Sequence, residues 1–226
     1  MSPAFWAEAY EPLVMLNHLR EPSPRYSEAR RGRHDELLNT YTVRCLVGIG
    51  ADVEADLFRD HAFGFPGDDD DLIPRREALE VAAGRRGGGG DSLGHWPRHI
   101  PLHAQRARAA LAAINALGGY DGSAWWAAAA VTRETQHLLQ REQCAWLRCL
   151  FANPLGASII EGAWLTSTVA GLANGIFAEQ AFDRLPILAD ALQDAGCDNE
   201  SLLHHCRHDA THGMHCRAVD ALLARD

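Results

Sequence analysis

Histidine and cysteine are concentrated near the C-terminus of this chain, in the segment HHCRHDATHGMHC at positions 204–216. Five of the twelve histidines and two of the six cysteines fall there, and Cys197 lies just upstream. Imidazole nitrogen and thiolate sulfur are the donors that a borderline-soft cation such as zinc prefers. The composition of this segment therefore predicts a metal site.

Four residues are spaced so that they could close one site: Cys197, His205, His212 and Cys216. They supply two thiolates and two imidazoles, a donor set of closed tetrahedral zinc sites. Cys197 precedes a predicted helix that carries His205 about two turns along. His212 and Cys216 would share one face of the last helix. A hairpin of these two helices would bring the four donors together around a structural zinc ion.

The spacing leaves alternatives open, because it is not that of a standard zinc finger. His208 could replace His205 as a ligand. Three further residues of the segment are expected to face elsewhere: His204, Cys206 and His215. In the alternative interpretation no metal binds, since histidines of amphipathic helices lie at the surface and helical cysteines act as small core residues.

The remaining patterns that could do chemistry are incomplete. The acidic run 68–71 lacks the spacing and the terminal glutamate of an EF-hand loop. Glycines 87–90 are not followed by the Lys-Ser or Lys-Thr pair of a phosphate-binding loop. No GxSxG, HExxH or dinucleotide-binding motif occurs. The sequence therefore predicts no catalytic residue.

Composition excludes several classes of partner. The net charge is −9, and all 21 basic residues are arginine. An acidic chain without a basic face has little attraction for nucleic acid, so no nucleic-acid partner is expected. No uninterrupted apolar stretch of about 18 residues is present, and the acidic N-terminus does not resemble a signal peptide. We expect no membrane partner, reduced thiols and a cytoplasmic protein.

Hydrophobic periodicity predicts an all-α protein, an irregular multi-helix bundle with a C-terminal helical hairpin. No stretch alternates at period two, so no sheet is expected. Gly196 is placed to end one helix, while Asp198 and Thr211 could cap the next two. The predicted helices before the hairpin span residues 1–20, 35–59, 102–117, 123–151, 166–180 and 185–195.

Glycine, proline and aspartate separate the predicted helices into two groups. Residues 1–60 are expected to form N-terminal helices, and residues 102–226 a main helical domain that ends in the His/Cys-rich hairpin. Between them, residues 61–101 contain the runs FGFPGDDDD and RRGGGGDS, which are typical of a loop or linker.

Several stretches of the chain resemble one family. They are 142–154 (EQCAWLRCLFANP), 178–197 (AEQAFDRLPILADALQDAGC), the His205-Cys206-Arg207 triplet, and His212 with Cys216; Trp6 and residues 12–16 also match. In these stretches the chain resembles uncharacterised bacterial helical proteins with alanine- and tryptophan-rich central helices. That resemblance implies an all-helical fold and no defined activity.

Two functions fit these observations. The first is a non-catalytic helical module that binds a protein partner, with the last two helices held by structural zinc. The alternative is a metal-dependent, hydrolase-like enzyme in which His205, His212 and Cys216 leave a coordination position for water, with Asp209 or Asp220 as general base. Four protein ligands would favour the first function, and three would favour the second. The sequence leaves the oligomeric state open.

Overall fold

The computed structural model describes residues 6, 9–20, 28–62, 78, 82, 102–117, 124–151, 160–208 and 211–224. Within these residues the chain is all-α and contains no strand, which confirms the predicted fold class. The helices are α1 (Pro12–His18), α2 (Glu28–Gly48), α3 (Asp52–Ala62), α4 (Leu102–Leu117), α5 (Ala124–Leu150), α6 (Ser167–Glu179), α7 (Leu185–Asp194), α8 (Glu200–His208) and α9 (Arg217–Leu222). Short 3-10 turns span Gly162–Trp164 and Phe182–Arg184.

The chain divides into two compact units. The N-terminal unit is Glu11–Gln143, and the C-terminal unit combines Met1–Tyr10 with Cys144–Asp226. Most of the predicted linker, 61–101, lies outside the described residues. The division of the chain at positions 60 and 101 therefore stays a prediction.

In the N-terminal unit, the helix expected over 35–59 is two helices. The break lies at Gly50, whose φ of +71° falls in the left-handed region that glycine adopts without strain. Arg106 of α4 lies over this turn, where its Nε donates to the carbonyl of Ile49. A Cβ at Gly50 would lie 2.6 Å from Arg106 Nη2, so the end of this flexible side chain would have to shift.

Hydrogen bonds between buried side chains join α2 to α5. The hydroxyls of Tyr41 and Thr132 lie 2.8 Å apart. Gln143 Nε2 donates to Thr135 Oγ1 at 2.6 Å and lies 3.6 Å from Cys45 Sγ. These bonds satisfy the buried hydroxyls and Gln143 Nε2, which would otherwise be costly to bury, and leave Gln143 Oε1 without a partner among the described residues.

The sequence predicts most of the helix ends in the C-terminal unit. Thr166 caps α6, because its Oγ1 accepts from the Val169 amide at 3.3 Å. Gly196 has a φ of +86° and ends α7 as predicted. The amides of Gly196 and Cys197 donate back to the carbonyls of Gln193 and Leu192, which is the Schellman pattern.

Two predicted caps were wrong. Asn199 rather than Asp198 caps α8, since its Oδ1 accepts from the Leu202 amide at 3.1 Å. The last helix begins at Arg217 with Cys216 at its N-cap position, so Thr211 lies in the preceding turn and caps nothing there. We call residues 211–216 the ligand turn; His215 within it has a φ of +64°.

The core of the C-terminal unit lies between the end of α5 and helices α6–α9. One face of α7 supplies four side chains with no exposed surface, Leu185, Leu188, Ala189 and Leu192. These four residues recur at helical spacing in the segment AFDRLPILADAL, residues 181–192. Trp164 is also buried there.

Candidate metal centre

Two cysteines and two histidines of the C-terminal unit converge on one point. They are Cys149 in the last turn of α5, His205 on α8, and His212 and Cys216 of the ligand turn. One donor atom from each of the four lies within 4.8 Å of the donor atoms of the other three. Three of the residues are buried and His212 is half-buried.

The three histidines of α8 lie on two different faces of the helix. Leu202, His205 and Cys206 are buried, whereas His204 and His208 are exposed. This is the pattern expected of an amphipathic helix, in which residues three and four apart share a side. The packing of α8 against the core therefore points His205 inward.

The ligand turn brings the other two donors back toward α8. The Cys216 amide donates to the Gly213 carbonyl at 3.0 Å, which closes the turn. The Asp220 amide then donates to the Cys216 carbonyl at 2.9 Å, which begins α9. Because His212 and Cys216 lie on a turn and not on one helix face, the predicted positioning by the last helix was wrong.

The donor distances fit a tetrahedral zinc ion. His205 Nε2 lies 3.3 Å from Cys216 Sγ, and His212 Nδ1 lies 3.8 Å from Cys216 Sγ and 3.9 Å from Cys149 Sγ. Zinc bonds of about 2.3 Å to sulfur and about 2.0 Å to nitrogen place tetrahedral donors about 3.3–3.8 Å apart. These three distances are within about 0.1 Å of that range, and since no two of the four donor atoms are more than 4.8 Å apart, an inward movement of about 1 Å would let all four surround one ion.

The Cys216 thiol disfavours the charged form in the absence of a cation. The hydrogen bond with Cys149 and the burial of the side chain raise the pKa of Cys216 well above its ordinary value. A coordinated divalent cation reverses this balance, since it stabilises thiolate directly. Binding of a cation at this site would therefore be coupled to release of the thiol protons.

Polar atoms at the ligand turn are not satisfied by the protein. In the described part of the chain, Thr211 Oγ1, His212 Nε2 and Arg217 Nε are buried without a hydrogen-bond partner. Each such atom is costly to bury. A metal bound to His212 Nδ1 would place the ring proton on Nε2, which would then need an acceptor such as water.

The cluster differs from the predicted ligand set at one position. His205, His212 and Cys216 are brought together, but Cys149 is the fourth member and Cys197 is not in the cluster. The amide of Cys197 is held at the end of α7, and its side chain packs in the apolar core, where burial raises the pKa of its thiol. Cys149 lies on a helix that is distant in sequence, so no local spacing marks it as a ligand.

The other residues considered from the sequence lie outside the cluster. His208, the alternative to His205, is exposed, and Cys206 packs in the core. His215 Nδ1 lies 3.8 Å from Asp220 Oδ2, so Asp220, one proposed general base, faces a histidine. Asp209, the other proposed base, is outside the described residues.

No disulfide joins any of the six cysteines, all of which are among the described residues. None of the helices in the described ranges has both the length and the apolarity that crossing a bilayer requires.

Comparisons with family models, with curated proteins and with solved structures gave no match to this chain. No family is therefore identified, and the resemblance to the bacterial helical proteins stays a prediction.

Proposed function

We propose that this chain is a helical zinc protein in which Cys149, His205, His212 and Cys216 bind one structural zinc ion. The convergence of two thiols and two imidazoles, with donor atoms within 4.8 Å of one another and one N–S pair at 3.3 Å, carries the proposal. The ion would join the end of α5, the middle of α8 and the ligand turn. Its chemistry would be that of a cross-link, since closed zinc sites contribute folding energy.

The number of donors favours a structural role over the hydrolase alternative. Catalytic zinc keeps three protein ligands and an open position for water. Here four donors lie together, and Cys149, His205 and Cys216 are at most 1% exposed. A zinc ion held by all four would have no position left for a substrate or an activating water.

The remaining part of the proposal is a protein-binding role. Support comes from large apolar side chains that stay exposed on the C-terminal unit, namely Leu165, Ile187 and Met214. A zinc-stabilised unit presents such side chains on a fixed backbone, which lowers the entropy lost on binding. Affinity purification with wild-type protein and with Cys149→Ala as baits tests this role. A partner retained by both baits, or by neither, would contradict a zinc-dependent interaction.

Metal analysis of the purified, untagged protein by plasma mass spectrometry tests the zinc site. We expect about one zinc ion per chain, as for a closed four-ligand site. Cys149→Ala should lose the zinc, whereas Cys197→Ala should keep it. The two cysteines make a matched pair, because both are buried in the same core.

A further variant separates loss of a ligand from loss of the fold. Cys149→His replaces one zinc donor with another and should retain more zinc than Cys149→Ala at equal helical content. Zinc-free wild-type protein with full helical circular dichroism would overturn the proposal. Equal zinc in Cys149→Ala and Cys197→Ala would overturn the assignment of Cys149.

A further inference from the structure

Two exposed histidines lie side by side on α8, outside the candidate zinc centre. His204 and His208 are one helical turn apart, and their ring centroids are separated by 4.7 Å with the planes tilted by 41°. Both side chains are exposed. The neighbouring His205 points the other way, with its Nε2 3.3 Å from Cys216 Sγ.

We propose that His204 and His208 form a second, solvent-exposed metal site that binds a divalent transition cation such as Cu²⁺, Ni²⁺ or Zn²⁺. Residues four apart on a helix are neighbours on its surface, so two imidazoles can reach one cation without bending the helix. Neutral imidazole suits these cations. Solvent fills the remaining coordination positions, which makes the bound ion exchangeable.

The charges around the pair favour a cation. His208 is the last residue of α8, and the C-terminal end of a helix carries a partial negative charge. Glu200 lies one turn before His204 and adds a carboxylate to the same side of the helix.

The nearest basic residue on α8 is engaged elsewhere. Arg207 Nη2 donates to Asp190 Oδ1 at 2.7 Å and to Gln193 Oε1 at 2.6 Å, both on α7. Its guanidinium is thus partly neutralised and directed toward α7. The net charge of −9 on the whole chain acts in the same direction, toward cation binding.

The two sites differ in selectivity and exchange. An exposed imidazole pair follows the usual order of divalent affinities, in which Cu²⁺ binds more tightly than Ni²⁺ and Zn²⁺. The buried cluster adds two thiolates, which zinc accepts readily. Because His204 and His208 flank the ligand His205 on one helix, the exposed pair would hold an exchangeable cation close to the buried cluster.

Calorimetric titration with CuCl₂ of the protein as purified, with its zinc content known, tests the second site. Wild type should bind one Cu²⁺ per chain beyond the metal already present, and the spin resonance spectrum of that Cu²⁺ should show coupling to imidazole nitrogen. The variant His204→Gln/His208→Gln should lose this binding, with affinity reduced at least about tenfold. Each single variant should lose most of the affinity, because a single remaining imidazole cannot chelate the cation.

The control is His18→Gln, which removes another exposed histidine, on α1. It should bind Cu²⁺ as wild type does. Unchanged Cu²⁺ binding by the double variant, or no added Cu²⁺ in wild type, would overturn the second site. The zinc content of the double variant should equal that of wild type, so failure of the exposed site and failure of the buried site give different results.

Discussion

Cys149 Sγ lies 3.9 Å from His212 Nδ1, although the two residues are 63 positions apart in the sequence. A metal that joins them closes a much longer loop than one that joins Cys197 to the same turn. The entropy cost of loop closure grows with the logarithm of loop length. Closing the longer loop therefore destabilises the unfolded chain by about 1 kcal/mol more. The observed cluster would therefore stabilise the C-terminal unit more than the predicted one.

The first prediction concerns removal of the metal. Excess chelator should lower the melting temperature of the zinc-loaded protein, because the binding free energy of a structural zinc ion is part of the folding free energy. A loss of about 3 kcal/mol would lower it by about 6–12 °C for a chain of this size. Differential scanning calorimetry with and without chelator measures the shift. Cys149→Ala should melt at one temperature in both buffers, and equal melting of wild type in both would contradict the prediction.

The second prediction compares two neighbours on α7. Leu188 has no exposed surface and Ile187 is 56% exposed. Leu188→Ala should lower the free energy of unfolding by about 2–5 kcal/mol, through lost burial and the cavity left behind. Ile187→Ala should change it by less than about 1 kcal/mol. Urea unfolding followed by circular dichroism gives both values, and similar losses would mean that α7 does not pack by the face described.

Features encoded by local chemistry are those that the sequence predicts well. The start of α6 at Thr166 and the end of α7 at Gly196 depend on side-chain and backbone groups within four residues. The apolar positions of α7 follow from helical periodicity alone. Each of these elements could be predicted without knowledge of the tertiary fold.

The fourth member of the cluster could not be predicted in this way. Cys149 reaches the ligand turn only because α5 ends against the same core as α8, which is a tertiary relationship. The sequence indicated Cys197 because it is close to His205 along the chain. The predicted helix over the ligand turn was wrong for a similar reason, since the spacing of His212 and Cys216 fits a helix face as well as a turn.

The third prediction concerns the turn between α2 and α3. Gly50→Ala should destabilise the protein by about 1–3 kcal/mol, because alanine is strained at a φ of +71° and its Cβ would lie 2.6 Å from Arg106 Nη2. Gly32→Ala is the matched control, since Gly32 lies within α2 with no atom near its added Cβ. It should stabilise the protein by about 0.5–1 kcal/mol.

Thermal unfolding of both glycine variants checks the signs. Comparison of Gly50→Ala/Arg106→Ala with Arg106→Ala alone isolates the backbone strain, because both variants lack the steric contact and the hydrogen bond to the Ile49 carbonyl. Equal effects of Gly50→Ala and Gly32→Ala would show that the turn does not require glycine.

The fourth prediction concerns the pH dependence of stability. Burial raises the pKa of Cys45 to about 12, against weaker opposing effects from hydrogen bonds with Tyr41 and Gln143 and from the charge of Arg44. The ordinary thiol pKa is near 9.0, so the folded state holds this proton where the unfolded chain releases it. The contribution of Cys45 to stability is therefore fully present below pH 9 and is lost as the pH rises toward 12.

The loss should approach about 1.4 kcal/mol per pH unit for this one group. Urea unfolding of wild type and Cys45→Ala at pH 8 and pH 10 isolates the contribution of Cys45 to the free energy of unfolding, because all other titrating groups are common to both proteins. Cys45→Ala should be less stable than wild type at pH 8, and the difference should shrink at pH 10 as the unfolded wild-type thiol ionises. A constant difference between pH 8 and pH 10 would mean that the Cys45 thiol titrates alike in the folded and unfolded chain, and that its burial does not hold the proton.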